Sequence, residues 1–388
     1  MPVKNRFAEL LPEITAWRRD FHEHPELQFD VHRTAARVAE LCRGFGCDEV
    51  VEGVGRTGVV AVIKGKTDSK GRVIGLRADM DALPIIEQTG LPYASKTPGK
   101  MHACGHDGHT AMLLGAARYL AETRNFDGTV VCIFQPAEEG GGGGREMVAD
   151  GMMDRWNVQE VYGMHNMPGI PVGHFAIRPG SLMAAADQFE ITVTGKGGHA
   201  AKPHECIDST VVAAHIVVAL QTIASRNVDP MKQVVVSVCT VETDSPAHNV
   251  IPQTVKMRGT VRTLDPKVQD FVETRLGQIV EGTALALGAR AEVAYTRGYP
   301  VTVNAPENTA YAVEVARAVS GQVDPDTPPL MGAEDFSFML NARPGAYIFL
   351  GNGDTASVHH PAYNFDDNAI PFGASWYAGM AEARMPAA

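Results

Sequence analysis

Apolar residues recur at helical spacing from Phe7 to Phe45, then switch to strand-like runs. The helical stretch is broken at Asp20-Phe21-His22-Glu23-His24-Pro25, because Pro25 disfavours a helix through it. A second helix is expected from about Asp30, with Val31, Ala35, Val38 and Leu41 on one face. Residues 58–63 and 72–77 read as two strands around a polar turn. The second strand runs into Asp79-Met80-Asp81, and positions i and i+2 of an extended chain share a face. Both carboxylates therefore point the same way at a strand end, where α/β enzymes place their chemistry. Residues 108–120 predict a helix, and residues 130–134 are continuously apolar, as in the middle of a covered sheet.

Near residue 185 the pattern changes. Phe189-Glu190-Ile191-Thr192-Val193-Thr194 alternates like a half-exposed strand. A long apolar helix follows over 209–225, then alternating strands over 233–241 and 254–263, a helix over 271–287 and a strand over 291–299. That β-α-β-β-α-β order is the ferredoxin-like pattern. The expected fold is therefore an α/β domain with a mixed sheet covered by helices, interrupted by an inserted α+β domain. Its boundaries are set at 1–184, 185–295 and 296–388.

A chain of 388 residues suits two domains better than one core. The net charge of −11, without a block of Lys or Arg, argues against nucleic acid or an anionic membrane as partner. The first seven residues lack the apolar segment of a secretory leader. No stretch approaches the roughly 20 apolar residues of a membrane span. The six cysteines are scattered, with Cys132 and Cys239 inside strand-like runs where buried thiols are common. A reducing cytoplasm and no disulfides are expected.

Cys104 stands apart, within His102-Ala103-Cys104-Gly105-His106-Asp107-Gly108-His109. Glu138 and Glu139 follow an apolar strand and precede the five glycines 140–144. Thiolate, imidazole and carboxylate at strand ends read as a metal site with an acid/base group beside it. Other motifs fail on context. Gly53-Val54-Gly55-Arg56-Thr57-Gly58 matches the dinucleotide fingerprint in letters but runs into a strand rather than a helix, so it reads as a turn. The glycine run lacks the following Lys-Ser/Thr of a phosphate loop, and neither His-Glu-x-x-His nor Gly-x-Ser-x-Gly occurs.

Several longer motifs then coincide in order. Arg77-Ala78-Asp79-Met80-Asp81-Ala82-Leu83-Pro84, the Cys104/His106 segment, Gln135-Pro136-Ala137-Glu138-Glu139-Gly140, Gly163-Met164-His165, Gly197-Gly198-His199-Ala200, His248-Asn249-Val250-Ile251-Pro252 and His359-His360-Pro361-Ala362-Tyr363-Asn364-Phe365 resemble the M20 family of metallo-amidohydrolases. The branch resembled contains hippurate hydrolases, N-acyl-amino-acid deacylases and auxin-conjugate hydrolases. The resemblance implies two divalent ions (zinc, manganese, cobalt or nickel) held by Cys104, His106, Glu139, His165 and His359, with the Cys104 thiolate bridging. His360 is the fallback for the last ligand. It further implies Glu138 as general base for a metal-activated water, His199 and Asn249 as donors to the substrate carbonyl, and Arg262 as the holder of the substrate carboxylate. Asp79 and Asp81 would orient ligating imidazoles, and Glu334 and Asp335 could assist. The 185–295 domain would be a lid and dimerisation module, giving a homodimer or homotetramer.

The function expected is hydrolysis of N-acyl or N-aroyl L-amino acids to a carboxylic acid and a free amino acid. Two alternatives stand beside it: dipeptidase or aminoacylase activity of the same class, and an amidase using Cys104 as nucleophile with His106 or His109 as base.

Overall fold

The computed structural model describes residues 4–387; Met1–Val3, part of the stretch read above for a leader, and Ala388 lie outside the described residues. The chain divides into two compact units. One comprises Met1–Leu182, Val303–Pro328 and Asp335–Ala388, the other Met183–Thr302 and Pro329–Glu334. Residues 296–302 and 329–334 thus group with the second unit, where the expected boundaries put 296–388 wholly with the first. For 329–334 the cause is backbone pairing: Ala184 N–H donates to the carbonyls of Leu330 and Gly332.

The first unit opens with α1 (Asn5–Glu23) and α2 (His32–Gly44), separated around Pro25. Its strands β1 (Glu49–Val54), β2 (Gly58–Lys64), β3 (Val73–Asp79), β4 (Thr129–Gln135) and β5 (Glu160–Met167) belong to an eight-stranded mixed sheet. The order is β1-β2-β4-β3-β5, followed by Gly345–Gly351, Phe175–Ala176 and Val323–Asp324. β2 and β3 are therefore not neighbours, as reading them around one turn had suggested. β4 lies between them, antiparallel to β2 and parallel to β3. The strand β1, which the sequence reading passed over, forms a hairpin with β2 through Gly55-Arg56-Thr57. That places the false dinucleotide fingerprint in a turn between two strands.

β3 and β4 are buried almost throughout, which is why their sequences are apolar without alternation. α3 (His106–Thr123) packs on β3 and against α1 and the C-terminal helix Ile370–Arg384. Their shared core includes Phe21, Met112, Leu113, Phe134, Tyr162 and Trp376. The C-terminal ends of the parallel strands β3, β4 and β5 carry Asp79, Gln135 and His165–Asn166, so the chemistry-bearing residues gather at one edge of this sheet.

The second unit contains a four-stranded antiparallel sheet in the order Val234–Thr243, Thr254–Thr263, Ala185–Thr194, Arg290–Tyr299, with helices Ser209–Thr222 and Pro266–Ala286. This is the ferredoxin-like arrangement. Phe189, Ile191 and Val193 face Val212, Ile216, Leu220, Val272 and Leu276 in its core. The second helix starts earlier than expected because Asp265 caps it, accepting Lys267 N–H, and Pro266 takes the first helical position. Cys239 is exposed rather than buried, since it sits where the register between Val234–Thr243 and its neighbour slips. Contrary to the sequence expectation, one helix, Ser209–Asn227, is long and apolar enough for a membrane span by length and composition, though one face covers its own sheet.

Candidate metal centre

Cys104 and His106 are separated by Gly105, which has φ +88°. An added Cβ there would lie 2.3 Å from Asn166 Nδ2 and 2.4 Å from the Tyr363 hydroxyl. Only glycine lets the segment turn into α3 while pressed against those groups. His106 opens α3 and is fully buried. Its Nδ1 lies 2.8 Å from the Asp81 carbonyl, which can only accept, so Nδ1 carries a proton and Nε2 is the ring nitrogen left to bind a metal. That buried Nε2 has no hydrogen-bond partner.

His165, at the end of β5, is set the same way. Its Nδ1 donates to the Asn166 carbonyl at 2.5 Å, and its Nε2 lies 3.3 Å from Cys104 Sγ. His359 also has φ +67°, a strained conformation for a non-glycine residue, and its N–H donates to the Ala103 carbonyl at 2.7 Å. Its Nε2 comes within 3.2 Å of Glu139 Oε1. His359 and His360 are both exposed, but His360 Nδ1 is taken up locally, accepting Ala362 N–H at 3.0 Å.

Glu138 and Glu139 leave the strand through Ala137, at φ +53°. Among the glycines that follow, Gly140 and Gly142 have positive φ, and Gly143 and Gly144 begin α4 (Gly143–Ala149). A Cβ on Gly143 would sit 1.7 Å from the Pro136 carbonyl oxygen, so the run is a tight turn rather than a loose loop. Asp81 secures both glutamates: its Oδ1 accepts Glu138 N–H at 2.9 Å and its Oδ2 accepts Glu139 N–H at 3.1 Å. The expected orienting of an imidazole comes from the Asp81 carbonyl; its carboxylate holds the glutamate turn.

Asp79 hydrogen-bonds His109 Nδ1 at 2.7 Å and pairs with buried Arg77, while its Oδ2 stays 3.8 Å from His106 Nε2. Its carboxyl lies well below the usual range: burial opposes this, but His106, Arg77 and His109 outweigh it. His109 Nε2 then accepts Asn166 N–H at 2.9 Å, so Asp79 acts on the His165 segment through His109. Asn166 Nδ2 donates to the Cys104 carbonyl at 2.6 Å, and its Oδ1 accepts from Tyr363 at 2.7 Å. Asn166 and Tyr363 were given no role by the sequence, and His109, considered there only as a base for Cys104, instead links Asp79 to Asn166. Asp335 bonds Arg77, Gln135 and Gly144 N–H, and its own N–H donates to Glu138 Oε1 at 3.4 Å. His102 is buried with neither ring nitrogen hydrogen-bonded, and burial lowers its pKa to about 3.

Two of the donor groups share Cys104. Cys104, His106 and His165 form one, and Cys104, Glu139 and His359 the other; in each, the ligand atoms lie within 4.8 Å of one another. Cys104 belongs to both. Another group contains His106, Glu138 and Glu139. Burial pushes the Cys104 thiol up and His165 down, whereas contact with Cys104 and Glu139 raises His359 to about 10. A divalent ion binding these donors would displace their protons. The orphan His106 Nε2 and the mixed S/N/O donors fit such ions.

In the second unit, Gly198–His199 pairs with Val250–Ile251, and Ala200 N–H donates to the Asn249 carbonyl. His199 Nδ1 accepts Ala201 N–H at 3.1 Å, so its Nε2 carries the proton and can donate. Arg262 is half-buried and bonded to the Thr260 hydroxyl and the Val261 carbonyl.

A mixed-sheet unit carrying a cluster of thiol, imidazole and carboxylate donors, interrupted in sequence by a ferredoxin-like unit, defines a metallohydrolase architecture. The chain belongs to peptidase family M20/M25/M40, whose profile matches residues 75–383. It is 42% identical to a hippurate hydrolase of Campylobacter jejuni over 96% of this chain and 97% of that one. It is 40% identical to an N-acetylcysteine deacetylase of Bacillus subtilis, covering 94% of each. A solved dinuclear metal-binding M20 peptidase from Bacillus subtilis superposes with TM-score 0.86 at 35% identity, covering 98% of this chain and 100% of that one.

Proposed function

We propose that the protein is a metal-dependent amidohydrolase that cleaves N-acyl or N-aroyl L-amino acids, with Glu138 as general base. The observation that carries this reading is the pair of donor sets sharing Cys104, with Glu138 grouped beside Glu139 and His106. The names of the hippurate hydrolase and N-acetylcysteine deacetylase relatives support the substrate class, and the dinuclear neighbour supports two ions. Cys104, His106 and His165 would hold one ion, and Cys104, Glu139 and His359 the other. Such ions polarise an amide carbonyl and acidify water. Glu138, held through its backbone by Asp81, takes the proton of the attacking water and returns it to the leaving amine. His199 and Asn249 are assigned as hydrogen-bond donors to the carbonyl oxygen and Arg262 as the partner of the substrate carboxylate.

The Cys104-nucleophile reading, with His106 or His109 as base, is disfavoured because burial raises that thiol's pKa, opposite to what a nucleophile needs. The deciding experiment is a panel of N-acyl amino acids with apo protein and zinc, manganese, cobalt or nickel added back. Activity is expected to vanish on chelation and return with metal. Glu138→Ala is expected to keep its metal and lose about 10²–10⁴ in turnover. Near-normal turnover in that variant, or activity surviving metal removal, overturns the reading.

We further assign a homodimer built through the second unit. Val234–Thr243 is an edge strand with Val241 exposed, and Val218 on the neighbouring helix is 71% exposed. Sedimentation of wild type at twice the monomer mass, and of Val218→Asp at the monomer mass, is the expected result. We place the protein in the cytoplasm, consistent with six free cysteines.

A further inference from the structure

α2 ends in a Schellman turn. Cys47 N–H bonds the Cys42 carbonyl at 3.2 Å, Gly46 N–H bonds the Arg43 carbonyl at 3.1 Å, and Gly46 has φ +79°. This motif ordinarily brings two apolar side chains together across the turn. Here the two positions are Cys42 and Cys47. Standard bond lengths added to that 3.2 Å hydrogen bond keep the two Cα atoms within roughly 7 Å, about the limit for a disulfide.

The turn is clamped from outside. Arg124 donates to the Gly46 carbonyl at 2.9 Å, to the Lys64 carbonyl at 2.7 Å and to Asp48 Oδ2 at 2.7 Å, fixing a guanidinium beside Cys47. Cys42 is fully buried and Cys47 half-buried, so a reagent meets Cys47 first. The neighbouring thiols shift one another: Cys47 is held below its ordinary pKa, and Cys42, also buried, is raised well above its own. A stabilised outer thiolate beside a protonated inner thiol is the division of labour that thiol exchange requires.

We propose that Cys42 and Cys47 form a thiol-exchange site that small disulfides oxidise to an intramolecular disulfide. The Cys47 thiolate attacks one sulfur of a low-molecular-weight disulfide RS–SR, forming a Cys47–S–S–R bond and releasing RS⁻. Cys42, losing its proton, then attacks Cys47 Sγ, forms the Cys42–Cys47 bond and releases a second RS⁻. Two protein thiols are oxidised, one small disulfide is reduced, and the two thiol protons end on two RSH. Cys132, buried in β4 and raised by burial, stays outside the exchange.

The test uses the full metal-loaded chain, oxidised glutathione, alkylation and non-reducing trypsin digestion. Cleavage after Arg43 separates Cys42 from Cys47, so the disulfide appears as a joined pair of peptides, 38–43 with 44–56. The pair is expected in wild type and in Cys132→Ala, and is lost on adding dithiothreitol. Cys42→Ala is expected to accumulate glutathione on Cys47 about tenfold over wild type. Cys47→Ser is expected to leave Cys42 unmodified. No joined pair in wild type, a cross-link to Cys132, or a Cys42 that takes glutathione equally well in Cys47→Ser would each overturn the proposal. The wild-type digestion decides even if a variant fails to fold.

Discussion

Replacing Gly105 by alanine probes whether the turn between Cys104 and His106 is held by contact as well as by backbone conformation. The left-handed conformation at φ +88° costs a non-glycine residue about 1–2 kcal/mol. The new Cβ, 2.3 Å from Asn166 Nδ2 and 2.4 Å from the Tyr363 hydroxyl, must push both aside. Two hydrogen bonds are then at stake, Asn166 to the Cys104 carbonyl at 2.6 Å and Tyr363 to Asn166 at 2.7 Å. At about 0.5–1.5 kcal/mol each, the total is about 2–5 kcal/mol. Gly151 supplies the control, having φ +76° with nothing within 4 Å of an added Cβ, so Gly151→Ala carries only the backbone cost. Denaturant unfolding of both variants separates the two contributions. Because Asn166 also bonds His109 and adjoins His165, Gly105→Ala should additionally weaken metal binding about 10–100-fold, read by metal content during dialysis against a chelator. Equal stability of the two alanine variants, with unchanged metal content, would refute the reasoning.

Two further predictions follow from the same network. Asp81→Asn places an amide N–H₂ where one backbone N–H now donates, so the Glu138–Glu139 turn should shift and metal affinity fall about 10–100-fold; unchanged affinity in a competition titration would remove Asp81 from this role. His22 is buried, which lowers its pKa, but the Asp107 hydrogen bond and charge outweigh this and hold it at about 9. Its folded pKa exceeds the ordinary value of about 6.5, so its contribution to stability is full below pH ~6.5 and is lost as pH rises through about 9. The stability gap between wild type and His22→Gln should therefore shrink across that window, and a gap independent of pH would contradict the assignment.

Much of the fold was legible because burial writes itself into residue pattern. The alternation in Phe189-Glu190-Ile191-Thr192-Val193 marks one covered face, and the observed strand Ala185–Thr194 buries those apolar positions. The strand β1 was missed because Glu49 and Glu52 lie on an exposed sheet edge, where side chains need not be apolar. Insertion of β4 between β2 and β3 was not readable, since strand order depends on long-range pairing rather than on local composition. The exposure of Cys239 likewise follows from a register slip that leaves no compositional trace.

The site divides along a similar line. Metal-type donors must be Cys, His, Asp or Glu, so the proposed ligands Cys104, His106, Glu139, His165 and His359 could be nominated once the motifs were seen to resemble the M20 family. The groups that aim them are under no such restriction. His106 is oriented by a backbone carbonyl, His165 by the carbonyl of its own neighbour, and Glu138 and Glu139 by their backbone N–H groups. A carbonyl looks the same on every residue, so no motif reports it. What the sequence does carry is the geometric requirement behind such contacts, in Gly105 and in the Gly143–Gly144 start of α4, where a side chain would collide with Asn166, Pro136 or Asp335. Glycines adjoining a donor cluster therefore show where backbone atoms approach the ligands, even when the approaching group is chemically anonymous.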